Sequence, residues 1–141
     1  MQYDDQNIFA KILRGELPCH KVYEDDHALA FMDIMPQADG HTLVIPKYPA
    51  VTLLDMPADR LGPLMATTQK VAAAVKKAFA VQGIVLFQLS GAEAGQTVPH
   101  LHFHILPSSL RALMTRPHAA QMEDNAKLAE FAARVRSALE G

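Results

Sequence analysis

Three histidines occupy alternate positions in Pro99-His100-Leu101-His102-Phe103-His104. In an extended strand successive side chains alternate faces, so His100, His102 and His104 share one face at intervals of ~7 Å, while Leu101, Phe103 and Ile105 share the other. The apolar side suits a core. A row of imidazoles is a poor choice for a merely solvated face, where Lys, Thr or Glu would serve as well. Two chemistries fit such a row. Neutral imidazoles can converge on zinc, copper or iron, which needs further ligands, and the chain offers Asp33, His41 and Glu93. Alternatively, an imidazole with a pKa near ~6.5 can attack phosphorus through one ring nitrogen while the other donates its proton to a fixed acceptor. The flanking His100 and His104, with His41 from another strand, could then orient the middle one. His102 has neighbours on both sides and is the expected nucleophile.

Just before this row lies Gly91-Ala92-Glu93-Ala94-Gly95-Gln96-Thr97-Val98. Its glycines allow close backbone approach, and Gln96 and Thr97 offer neutral donors that could hold phosphoryl oxygens.

The elements that must position these groups follow from periodicity. Ile8, Phe9, Ile12 and Leu13 recur at helical spacing behind the cap residues Asp4, Asp5 and Asn7, and Gly15 supplies a stop. From His20 to Asp33 the pattern alternates and breaks at Glu24-Asp25-Asp26, which predicts a hairpin, and a third strand is expected from Thr42 to Pro46. Leu61, Leu64, Met65, Thr68, Val71, Val75 and Phe79 mark a long central helix within about Pro57 to Val81. Ile84 to Leu89 reads as a fourth strand, the histidines as part of a fifth, and Gln121 to Leu139 as a closing amphipathic helix. The fold class expected is α+β: a mainly antiparallel five-stranded sheet with N-terminal, central and C-terminal helices.

The 141 residues, half of them apolar, suit one domain with its own core. A formal charge of −2 argues against a nucleic-acid backbone or an anionic membrane as partner, so any bound phosphate must be held locally. The single Cys19 excludes an internal disulfide. The acidic start Met1-Gln2-Tyr3-Asp4-Asp5-Gln6 is unlike a secretory signal, and no apolar run reaches the ~20 residues that span a bilayer. The expected location is the cytoplasm.

The His-x-His-x-His row behind Ala94-Gly95-Gln96-Thr97-Val98 resembles the signature of the histidine triad (HIT) family of nucleotide hydrolases and transferases. The resemblance continues through Ile8-Phe9, Arg14-Gly15-Glu16, Val22-Tyr23-Glu24-Asp25-Asp26, Ala30-Phe31-Met32-Asp33-Ile34, Pro36-Gln37-Ala38 and Gly40-His41 to Lys47, covering most of residues 7 to 107. It implies one HIT domain over 1–141, with a tail and helix from 108, acting on the α-phosphate of purine nucleotide conjugates. By resemblance His102 would form a nucleotidyl-histidine that water hydrolyses to a mononucleotide, with His100, His104 and His41 completing the catalytic set. Asp33 would accept the ribose hydroxyls, Ile8, Phe9, Leu17, Phe31 and Ile34 would enclose the base, and Gln96 with Thr97 would contact the phosphate. A phosphoramidate is the first substrate class the resemblance implies; a dinucleoside polyphosphate, as in Fhit-type members, and a nucleotide-binding module with little turnover are the alternatives. A homodimer joined through the central helix and fourth strand is the family's usual assembly.

The chain departs from the family pattern in three places. Two cysteines that flank the Ile-Phe pair in zinc-holding members are Asn7 and Ala10 here, and Pro49 replaces a further His, so neither zinc nor any other cofactor is expected. The amide usual two positions before the loop's first glycine is Leu89, with Gln88 one residue earlier; a strand bulge could bring Gln88 into its place. Residues 108–141 lack the Trp-containing tail of Hint members, and Met114, Arg116 and His118 are the residues there that could line the leaving-group side.

Overall fold

The computed structural model describes residues 2–115 and 122–141. Helix α1 (Ile8–Leu13) opens on Asn7, whose side chain accepts from the Ala10 amide at 2.9 Å, and the chain turns away at Gly15 with φ +79°. Strands β1 (Lys21–Glu24) and β2 (Ala28–Met32) form the expected hairpin, and β3 (Thr42–Pro46) pairs with β2 throughout its length. Two short 3-10 turns, Leu53–Asp55 and Ala58–Arg60, precede α2 (Leu61–Ala78), so the central helix starts four residues later than Pro57. Strand β4 (Val85–Gln88) and strand β5 (Phe103–Leu106) complete an antiparallel sheet of order β1-β2-β3-β5-β4. The α+β class expected from the sequence is the class observed.

Alternation along each strand sorts the two faces. Ala28, Ala30, Met32, Val44, Phe103 and Ile105 face a core built with Leu64, Val71 and Val75 of α2 and Leu128, Phe131 and Val135 of α4 (Asn125–Glu140). Each fully buried aliphatic side chain there contributes about 1.5–3 kcal/mol of hydrophobic free energy. The opposite face carries Leu29, Phe31, Leu43 and Ile45 under Phe9 of α1.

The structure departs from expectation in two places. Only His104 of the triad lies in β5; His100 and His102 sit on the run into it. The ladder between β3 and β5 stops at Val44↔Phe103, and Pro46, which has no N–H to offer a further rung, turns its carbonyl to the His100 ring instead. Residues Leu110–Thr115 form a short helix, α3, that periodicity did not announce, and Met114 on it is exposed. Arg116, His118 and the proposed helix start at Gln121 lie outside the described residues.

Candidate active site

The site is assembled on the sheet face opposite α2. Cross-strand partners share a face in an antiparallel sheet, and the registers Phe31↔Leu43, Leu43↔His104 and Phe87↔His104 lay four side chains in one row across β2, β3, β5 and β4. The Phe87 ring stacks on His104 with centroids 4.2 Å apart. Just past the strand ends, the Asp33 amide donates to the His41 carbonyl at 2.9 Å, which extends the β2–β3 pairing by one step and brings both side chains to this face. Asp33 Oδ2 lies 3.4 Å from His41 Nε2.

The hydrogen bonds assign the protons. His102 Nδ1 lies 2.7 Å from the His100 carbonyl, which can only accept, so Nδ1 carries the proton and Nε2 keeps its lone pair. His100 Nε2 donates to Pro46 O at 2.8 Å, leaving Nδ1 to accept from the Tyr3 hydroxyl at 2.5 Å. The Gln37 amide donates to His41 Nδ1 at 3.1 Å; Nε2 of His41 then donates to His104 Nδ1 at 2.9 Å, and His104 retains its proton on Nε2. Burial lowers all three triad pKa values from 6.5, His100 to about 4 and His104 to about 3. For His104, repulsion from His102 and His41 adds to burial. At neutral pH the triad is therefore uncharged, and His102 presents a bare nitrogen in a low-polarity setting, the state required of a nucleophile. The Phe9 ring meets the His102 ring edge to face, centroids 5.0 Å apart and planes at 88°.

Ligand atoms of Asp33, His41 and His104 lie within 4.8 Å of one another, which is the metal-ligating grouping among the described residues; Glu93 is exposed and not part of it. The donor set is suited to a divalent transition metal, but the proton arrangement opposes it. A neutral imidazole that binds metal through Nε2 must carry its proton on Nδ1, and His41 Nδ1 is the acceptor of the Gln37 amide. The grouping reads as a hydrogen-bond relay.

The residues expected around a nucleotide fall into two groups. Phe9 and Phe31 are buried, 5.4 Å apart in a T-shaped contact, whereas Ile8, Leu17 and Ile34 are exposed. Thr97 is exposed on the loop. Gln96 behaves differently from the expectation of a phosphate contact. Its Oε1 accepts from the Gly91 amide at 2.7 Å, and its Nε2 donates to Val51 O at 2.7 Å and Val98 O at 3.0 Å. These bonds use its donors and shape the loop from within. Gly91 and Gly95, at φ +103° and +111°, supply backbone conformations that a side chain would resist.

Gln88 does not replace the amide missing at Leu89. It pairs with Phe103 without a bulge, on the face away from His104, and its side chain is engaged by Leu89 O and Ser90. Two contacts escaped the sequence reading. Phe87 was legible in principle, because strand parity puts it beside whichever histidine it pairs with; Tyr3 has no local pattern that announces its distant partner.

Comparison with known proteins agrees with this fold. The HIT domain family matches residues 14–111. An uncharacterized HIT-like protein of Methanocaldococcus jannaschii is 44% identical over 100 residues, 71% of this chain and 77% of its own. Adenosine 5'-monophosphoramidase HNT1 of Saccharomyces cerevisiae is 39% identical over 100 residues, 71% of this chain and 61% of its own. Among solved structures, a Hit-like protein of Bartonella henselae described as involved in cell-cycle regulation superposes with a TM-score of 0.89 at 47% identity, covering 98% of this chain and 99% of that one.

Proposed function

The chain belongs to the HIT family, and from that membership and the state of His102 we propose that it is a nucleotide hydrolase cleaving purine nucleoside phosphoramidates at the α-phosphate. The observation that carries this reading is the 2.7 Å bond from His102 Nδ1 to the His100 carbonyl, which leaves Nε2 free and aims a stabilising dipole at the ring once it becomes positively charged. A phosphoramidase among the relatives supports the substrate class.

In the first step the His102 Nε2 lone pair forms a bond to phosphorus while the bond from phosphorus to the leaving nitrogen breaks, and the amine departs with a proton taken from solvent. In the second, water bonds to phosphorus and gives up a proton to solvent as the bond to His102 breaks, giving the mononucleotide and restoring the neutral imidazole. The His104 Nε2–H, held by the relay from Gln37 through His41, is a donor for a phosphoryl oxygen. Asp33 would take the ribose hydroxyls, and Ile8, Leu17 and Ile34 would close with Phe9 and Phe31 over the base. Thr97 would meet the phosphate directly and Gln96 through the loop it shapes.

On this reading the enzyme works in the cytoplasm as a homodimer. The edge position of β4, with Leu86 exposed on it, and the exposed Met65 on α2 supply the unpaired surface for that assembly. Among the described residues no helix is long and apolar enough to cross a membrane.

The test is incubation with adenosine 5'-phosphoramidate. AMP should be released, a sample quenched in alkaline denaturant should carry adenylate on His102, and His102→Ala should lower turnover on the order of 10⁴-fold or more. Turnover undiminished in His102→Ala would refute the assignment.

A further inference from the structure

The backbone that holds His102 is itself held from the far N-terminus. Tyr3 precedes α1 and stands outside the residues matched by the family, 14–111. Its hydroxyl nonetheless reaches His100 Nδ1, ninety-seven positions along the chain, at 2.5 Å, and its ring meets the imidazole edge to face with centroids 5.6 Å apart. His100 is fully buried. Its other ring nitrogen is bonded to Pro46 O, and its amide to Val98 O at 2.9 Å. The next amide, that of Leu101, donates to Ala50 O at 2.8 Å. The peptide whose carbonyl accepts from His102 Nδ1 is thus restrained on both sides.

We propose that Tyr3 is a positioning residue for His102: its O–H fills the lone pair of His100 Nδ1, confines the His100 proton to Nε2, and so steadies the carbonyl that keeps the His102 proton on Nδ1. Each bond in this sequence has one direction only. A carbonyl cannot donate, so Pro46 O demands the proton on His100 Nε2; the remaining nitrogen can only accept, and Tyr3 is the group that gives. Without that donor, a buried nitrogen loses its partner, and the alternative His100 tautomer, which breaks the bond to Pro46, becomes competitive. Displacement of the carbonyl would then release the His102 ring. This inference rests on His102 as the reacting group, although its spectroscopic test does not require turnover.

Tyr3→Phe keeps the ring and removes the hydroxyl. In the variant kcat for adenosine 5'-phosphoramidate is expected to fall about tenfold with KM within about twofold, because orientation rather than binding is lost. Imidazole nitrogen resonances are expected to change from single Nε2–H (His100) and Nδ1–H (His102) tautomers to mixtures. Unchanged kcat and unchanged resonances overturn the proposal, as does a fall in kcat that vanishes once the rate is divided by the folded fraction. Should Tyr3→Phe not fold, the native protein still decides: a His100 Nδ1 that is protonated, or that accepts no hydrogen bond from the Tyr3 hydroxyl, overturns it. If the native enzyme turns over no nucleotide conjugate, the functional reading fails while the resonances continue to report on Tyr3.

Discussion

The Phe87 ring lies flat against the His104 imidazole, with centroids 4.2 Å apart and planes inclined by 11°. This stack, added to the bond from His41, fixes the plane of a ring that would otherwise rotate about its Cβ–Cγ bond, and it keeps water off one side. Phe87→Ala should readmit solvent and move the His104 pKa up from about 3 toward its ordinary value. Histidine NMR titration checks this, and kcat should fall on the order of tenfold as the donor loses its orientation. An acid-shifted His104 unchanged in the variant would show that the stack does not exclude solvent.

Burial holds the pKa of His102 below 6.5, opposed by the His100 carbonyl and Asp33, so the proposed nucleophile is mostly neutral at pH 7. The expected pH profile of kcat/KM is flat at neutral pH and falls only on the acid side, with a midpoint below 6.5. A midpoint above that value would contradict the buried, neutral ring.

The same burial links stability to pH. Unfolded His100 takes up a proton as pH falls through 6.5, whereas the folded form does so only near 4. Between those limits the unfolded state binds more protons, so stability decreases with acidification, on the order of 3 kcal/mol from this residue. Urea titrations across the window should show the loss, and replacing His100 by Asn should make it shallower, leaving the part that His102 and His104 contribute.

Gly40 precedes His41 at φ +91°, and a Cβ there would lie 2.7 Å from both Phe79 and Pro107. Gly40→Ala combines a left-handed backbone with overlap against two rings and should cost about 2–4 kcal/mol. Denaturation would measure it. Because His41 is the neighbour, the His41–His104 bond should weaken together with stability.

Chelator should leave turnover unchanged, since the Gln37 amide already occupies the nitrogen that a metal-bound His41 would need to protonate. Activity lost with EDTA and restored by zinc would reverse this account of Asp33, His41 and His104.

The fold was legible because its elements are local. Asn7 as a cap, the alternation through β2 and β3, and the helical spacing of Leu64, Val71 and Val75 each act within a few residues. Gln96 was legible as a polar loop residue but not in its role, because Val51 and Gly91, which consume its bonds, come close only after folding. The extent of β5 was similarly hidden: alternation continues through His100 and His102, and it is Pro46 of a different strand that ends the ladder.

By itself the sequence determined that three imidazoles alternate with a core-facing Leu101, Phe103 and Ile105, and this left both a metal and a nucleophile open. The tertiary structure decided what each imidazole nitrogen does. Proton placement depends on partners far along the chain, Tyr3 and Pro46 for His100 and Gln37 with His41 for His104, and no spacing rule encodes which of a partner's atoms donates and which accepts.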